Sequence, residues 1–310
     1  MLRLRKLCAT LGLFGLGTSS AWAAPATEQS DLKIEQTTTP AEPVELTEQA
    51  ATPILPKATA PRRAYQLYWE IDLPVLGVAA VLGGGRLAHT ESGAPAYCVQ
   101  QIPEAERATT GCDPDDLNAL DRGVAGRWSP SWSTASDYVL YGLAAAPIVV
   151  LWIDEGFVGM LNDVIVVYQS TLIAASLSGI SSVASGRGRP YVYGTEAPLS
   201  AREGAEGGLA YFSGHSSMAF ALSTSTFWTL QRTHPNDAVP WIALGVGTTA
   251  AATVAVARVE AGRHFPSDVI AGTIVGVGIG TLIPMLHGVP VQVIPETSSD
   301  GALLSVAGAF

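Results

Sequence analysis

Five stretches of this chain run without a single Asp, Glu, Lys or Arg: residues 138–153, 164–186, 215–230, 238–257 and 269–287. Runs of 16 to 23 residues are too long and too continuous for ordinary strands, so they predict helices. A sixth run, "LPVLGVAAVLGGG" at 73–85, is shorter. Helices apolar over most of their surface must bury it against one another or in lipid. The expected fold class is therefore all-α, a helical bundle of about five to six apolar helices. Composition agrees: 14% of residues are charged and the mean hydropathy is +0.28, whereas a soluble domain carries about 25% charged residues. A formal net charge of −10 gives no basic face for a nucleic-acid partner.

The ends of the chain differ from its middle. Arg3, Arg5 and Lys6 precede the short apolar core "LCATLGLFGLG", and Ala21-Trp22-Ala23 offers a small-x-small cleavage site. Residues 1–23 read as a secretory signal peptide, with an uncleaved anchor as the alternative. Residues 24–62 are rich in Ala, Thr, Pro, Glu and Gln and lack any apolar period, as in a disordered linker. The helical domain is expected over 63–287. Residues 288–310 contain "VPVQVIPE" and "ALLSVAGAF" around "TSSDG", which read as a small C-terminal β-hairpin or a frayed tail. Past the leader, Cys98 and Cys112 form an even pair, either bridged or free. A bridge closing about 15 residues would contribute ~3 kcal/mol in the chain-entropy model.

Three stretches concentrate the polar chemistry. "ARVEAGRHFPSDVIAG" holds Arg258, His264 and Asp268. Pro266 suits the first turn of a helix. His264 then lies just before that helix and Asp268 within its first turn, close enough to hold one imidazole nitrogen. The other nitrogen would point outward as a base or nucleophile. "GLAYFSGHSSMAFA" places Ser213, Gly214 and His215 at a second helix start. Ser213 suits the N-cap, and Gly214 permits close approach of a ligand to the backbone. Two such helix N-termini can bind a phosphate with their free N–H groups. "SSVASGRGRPYVYG" supplies Arg187 and Arg189 after an uncharged helix. Guanidinium groups pair with phosphate oxygens in bidentate fashion.

In this order the stretches resemble the type 2 phosphatidic acid phosphatase / vanadium haloperoxidase superfamily, whose motifs are K-x6-R-P, P-S-G-H and S-R-x5-H-x3-D. Arg189-Pro190 matches the end of the first motif and Ser213-Gly214-His215 the second. Arg258, His264 and Asp268 match the third with its full spacing. The resemblance covers roughly 160–287. Three positions depart from it: Ser182 stands at the lysine, Phe212 at the proline and Ala257 at the serine. Arg187 is the cation nearest in sequence to replace the lysine.

The resemblance implies a metal-independent phosphatase acting on a phosphomonoester or diphosphate, with a lipid phosphate favoured. His264 would attack phosphorus, Asp268 would orient and stabilise it, and His215 would serve as general acid and then base. Arg189, Arg258, Ser213, Gly214 and Arg187 would bind the phosphate. No cofactor is implied. His89, His234 and His287 show no ligand spacing and read as structural. The alternatives are a degenerate phosphate-binding envelope protein, which Ser182 favours, and a vanadium haloperoxidase. The expected location is exported and facing the periplasm, in a membrane or as a soluble helical domain. The expected partners are a phosphorylated lipid or small phosphomonoester and the membrane.

Overall fold

The computed structural model describes residues 63–288, 291–298 and 301–308; the expected leader and linker lie outside the described residues. Five long helices dominate: α1 (Trp69–Ser92), α2 (Pro130–Ser185), α3 (Gly214–Thr233), α4 (Val239–Glu260) and α5 (Pro266–His287). Two C-terminal strands, β1 (Val291–Ser298) and β2 (Gly301–Gly308), run antiparallel with Val291 opposite Gly308.

Helix α2 is two arms in one. Gly156, at φ 75°, breaks its helical geometry. The Tyr168 hydroxyl donates to the Ala144 carbonyl, and both residues lie 12 positions from Gly156. In a straight helix they would be about 36 Å apart. The chain therefore reverses at Gly156, and the bundle has six apolar helical segments. They alternate in direction, so residues 137, 182, 214, 258 and 264 gather at one end.

The first segment differs from expectation. Residues 73–85 read as too short to span a bilayer, yet α1 has 24 residues, about 36 Å. Pro74 lies in the second turn, where it removes one helical hydrogen bond, and the three consecutive glycines weaken the helix without ending it. Helices α1, α2, α4 and α5 are long and apolar enough to cross a membrane.

The packing is inverted relative to a soluble bundle. The centre is α3, whose Ser216, Ser217, Ser223, Ser225 and Thr229 are buried. The Ser225, Thr226 and Thr229 hydroxyls donate to carbonyls four residues back, which satisfies them inside the bundle. The surrounding helices expose Leu73, Val81, Val158, Val246 and Ile274. Small or polar residues within and apolar ones outside are what a lipid environment rewards. Helix α5 meets α3 through Gly272, Gly276 and Gly280. A Cβ at each would stand 2.4–2.8 Å from the carbonyl oxygens of Ser213, Ser217 and Ala221.

The segment 93–129 folds back over the loop after α2. Cys98 and Cys112 are bridged, with Cα atoms 5.6 Å apart. The Cys112 N–H donates to Val192, and Ala96, Val99, Cys112, Tyr191 and Val192 form one buried cluster. This cap holds the segment that carries Arg189.

Candidate active site

The site lies where α3 and α5 begin and α4 ends. Ser213 caps α3, accepting from the Ser216 N–H, and its own N–H donates to the Asp268 carbonyl. That bond ties the two helix starts together. Their first N–H groups have no preceding helical turn to bond. Space at Gly214 is tight, since a Cβ there would approach the Ser178 hydroxyl to 3.0 Å.

His264 is buried. Its Nδ1 lies 2.7 Å from the Ala210 carbonyl. A carbonyl only accepts, so Nδ1 carries the proton and Nε2 keeps the lone pair. Burial first, then the charges of Arg189 and Arg258, hold its pKa well below the ordinary imidazole value. It is thus a neutral imidazole near pH 7. The turn before it requires Gly262, at φ +70°, where a Cβ would meet the Arg127 carbonyl oxygen at 1.7 Å.

Asp268 does not hold His264, contrary to the sequence reading. Its nearer oxygen is 3.9 Å from Nδ1, beyond hydrogen-bond reach. That oxygen accepts from the Phe265 N–H, closing the first turn of α5. The other accepts from Arg187. The Ala210 carbonyl has taken the orienting role that spacing assigned to Asp268.

Arg187 is likewise displaced from its expected role. Its guanidinium donates to Ser267, Asp268 and Asp121 and stacks 4.6 Å from the centre of Phe265. Asp121 also accepts from the Ser267 N–H and hydroxyl. Burial pushes the Asp121 carboxyl up, but the bonds from Ser267 and Arg187 outweigh it and hold the group ionised, below its ordinary value. Arg187 therefore braces the start of α5 from behind. It leaves the lysine position unreplaced.

Arg189 and Arg258 are the cations placed for an anion. Arg189 is 0% exposed, and one of its nitrogens meets Glu206 at 3.1 Å. Its Nε and Nη1, and the Nε of Arg258, are buried without a partner among the described residues. Unsatisfied buried N–H donors are costly unless something arrives to accept from them. Both charges act on His215 and His264, so the four groups share one site.

Sequence reasoning missed several members. His215 Nε2 lies 2.8 Å from Asp137, which leaves Nδ1 as the basic nitrogen of the ring. Arg258 donates to Ser133, Ser136 and Asp137. Those three lie in the first turns of α2, which begins at Pro130, and meet Arg258 in the site. Glu206 bridges Arg189 and Arg263, and Arg263 lies 5.2 Å from the centre of the Trp128 ring. Helical spacing of 133, 136 and 137 on one face was the available signal for the first three; nothing local marked Glu206.

The geometry sets two helix starts and two arginines with unpaired buried N–H groups beside a neutral histidine. Residues 163–289 match the sequence model of the PAP2 superfamily. The matched segment contains Arg189, Ser213, Gly214, His215, Arg258, His264 and Asp268. Among solved structures, the chain is similar to a transmembrane PAP2 type phosphatidylglycerolphosphate phosphatase from Bacillus subtilis. The identity is 17%, over 71% of this chain and 96% of that one, with a TM-score of 0.39. Comparison with curated proteins finds no match.

Proposed function

We propose that the protein is a membrane-integrated, metal-independent phosphatase that hydrolyses a lipid phosphate through a phosphohistidine. The observation that carries this reading is the neutral His264, its Nδ1–H fixed on Ala210 and its Nε2 free, beside two arginines with unpaired buried N–H groups. Nε2 attacks phosphorus while Arg189, Arg258 and the Ser213–Gly214 helix start stabilise the charge gathering on the equatorial oxygens. The negative charge of the bound phosphate favours a proton on Nδ1 of His215, taken up from solvent with the substrate, and His215 gives that proton to the departing alkoxide. It then takes one from the water that cleaves the P–N bond. Asp137 fixes the His215 ring and stabilises its charged form. The apolar outer faces of α1, α2, α4 and α5 favour a substrate that arrives from a bilayer.

The test is phosphate release from a panel of lipid phosphates and small phosphomonoesters by the full chain in detergent micelles. His264→Ala is expected to abolish release and to remove the alkali-stable, acid-labile phosphoenzyme trapped in a rapid quench. Chelation with EDTA is expected to leave the rate unchanged. Full activity of the His264→Ala protein would overturn the reading.

A further inference from the structure

We propose that Arg86 of α1 is a phosphate-binding residue of this site, supplying from a neighbouring helix the cation that Ser182 does not. The inference rests on the phosphatase reading and adds to it a group outside all three motifs.

Ser182 cannot serve. It is buried, and its hydroxyl donates to the Gly179 carbonyl at 2.9 Å. The face of α2 beside it is unusually open, because residue 179 has no side chain. The stem of Arg86 fills that space: a Cβ on Gly179 would lie 3.4 Å from the Arg86 Cβ and 3.8 Å from its Cδ. From there the side chain runs to the start of α3. Arg86 Nη1 is 3.5 Å from where a Cβ on Gly214 would stand. Gly214 is flanked by Ser213 and His215, so the guanidinium lies against the helix start that would cradle the phosphate. It also acts electrostatically on Arg189 and Glu206.

Residues 73–85 of α1 carry no charge. The acids nearest to Arg86 on this helix are Asp72, about 21 Å before it along the axis, and Glu91, five positions after it and about 140° around the helix. A half-buried arginine on such a helix is costly unless an anion meets it. Its company is Arg189, a second cation with two unpaired nitrogens, and one carboxylate, Glu206. Two cations converging on a helix start form a receptor for a group with more than one negative charge. An arginine also offers two parallel N–H donors where a lysine offers a point charge.

The experiment uses the full chain in detergent micelles, with a short-chain phosphatidate as substrate and orthovanadate as the probe. Arg86→Gln is expected to lower kcat/KM by 10- to 100-fold and raise the vanadate inhibition constant at least tenfold. The thermal midpoint should stay within a few degrees. Arg86→Lys should fall between Arg86→Gln and the parent in both readouts. Arg86→Gln within threefold of the parent in both would overturn the proposal. So would equal losses in Arg86→Gln and Arg86→Lys accompanied by a lowered midpoint, which would mark a packing role. If instead the parent turns over no phosphatidate, or turns it over without His264, the phosphatase reading falls. Vanadate titration by calorimetry then still decides whether Arg86 binds the anion.

Discussion

Glu206 pairs with Arg189, one of the cations that the proposed mechanism gives to the phosphate. One oxygen lies 3.1 Å from Arg189 and the other 3.3 Å from Arg263. A phosphate drawn to Arg189 would meet this carboxylate at close range. Two negative charges 4 Å apart repel by about 4 kcal/mol at an effective dielectric of 20. The side chain is 48% exposed and free to turn outward, so the cost of admitting substrate is the loss of its ion pairs. Glu206 is half exposed, so each of its pairs contributes about 0.2–1 kcal/mol. The two together, about 0.4–2 kcal/mol, correspond to a roughly 2- to 30-fold competition. Glu206→Gln is therefore expected to tighten orthovanadate inhibition and lower KM by that factor. Arg189 holds the Glu206 carboxyl below its ordinary value, outweighing burial. The group is thus ionised throughout pH 5.5–8, and the gain should be flat across that range. A depressed carboxyl adds stability above its unfolded pKa and loses it as pH falls through the folded one. The mutant should accordingly lose a little thermal stability at pH 7 and none in strong acid. An unchanged or weaker vanadate inhibition constant would refute the competition. A tenfold fall in kcat/KM would show that the carboxylate aims Arg189 at the substrate.

Two further outcomes test the proposed chemistry and the turn that delivers it. Asp137→Asn should cost 10- to 100-fold in kcat on an alkyl phosphate and far less on p-nitrophenyl phosphate, whose leaving group needs little protonation; equal losses would place Asp137 outside acid catalysis. Gly262→Ala should destabilise by roughly 2–5 kcal/mol, combining about 1–2 for a left-handed backbone with about 1–3 for overpacking against Arg127; an unchanged denaturation midpoint would contradict it.

The helices were legible because each is an uncharged run, and periodicity was not needed to find them. What the runs could not disclose is the reversal at Gly156. Residues 138–153 and 164–186 are separated by only ten positions, three of them acidic, and Gly156 carries the turn. The spacing of Gly272, Gly276 and Gly280 was a legible mark of close helix contact that went unused. At the site, motif spacing located His215, His264 and Arg258 but misjudged the bonds between them. A four-residue interval allows Asp268 to reach His264, yet the same carboxylate can close its own helix turn, and that local bond won. Ala210 contributes only a carbonyl, and no sequence signal distinguishes one carbonyl from another. Arg86, Asp137 and Glu206 arrive from segments distant in sequence, so only the packing of α1, α2 and the 205–208 turn brings them in.

The sidedness of the site follows from the path of the chain. If the six segments cross, residues 93–129 and 186–213 share a membrane face with the site, while residues 63–68 and 234–238 lie on the other. Cleavage of the leader would put residue 63 outside, and with α1 long enough to cross, a count of six spans from there would turn the site inward. The disulfide gives the opposite answer. Cys98 and Cys112 lie in the cap on the site side, and a Cβ at Gly188 would stand 3.4 Å from the Cys98 sulfur. Such bridges persist in oxidising compartments and are rare in reducing ones. The bridge involves the folded cap itself, whereas the count depended on one span's length, so the expected orientation is a site facing outward. Residues 200, 236 and 66 are exposed and suit single cysteines, in a chain that keeps its disulfide and has Cys8→Ser. In intact spheroplasts an impermeant maleimide should label Ser200→Cys. Asn236→Cys and Gln66→Cys should react only after the membrane is opened. The reverse pattern would place the site in the cytoplasm, and labelling of all three in intact spheroplasts would show that the helices do not cross at all.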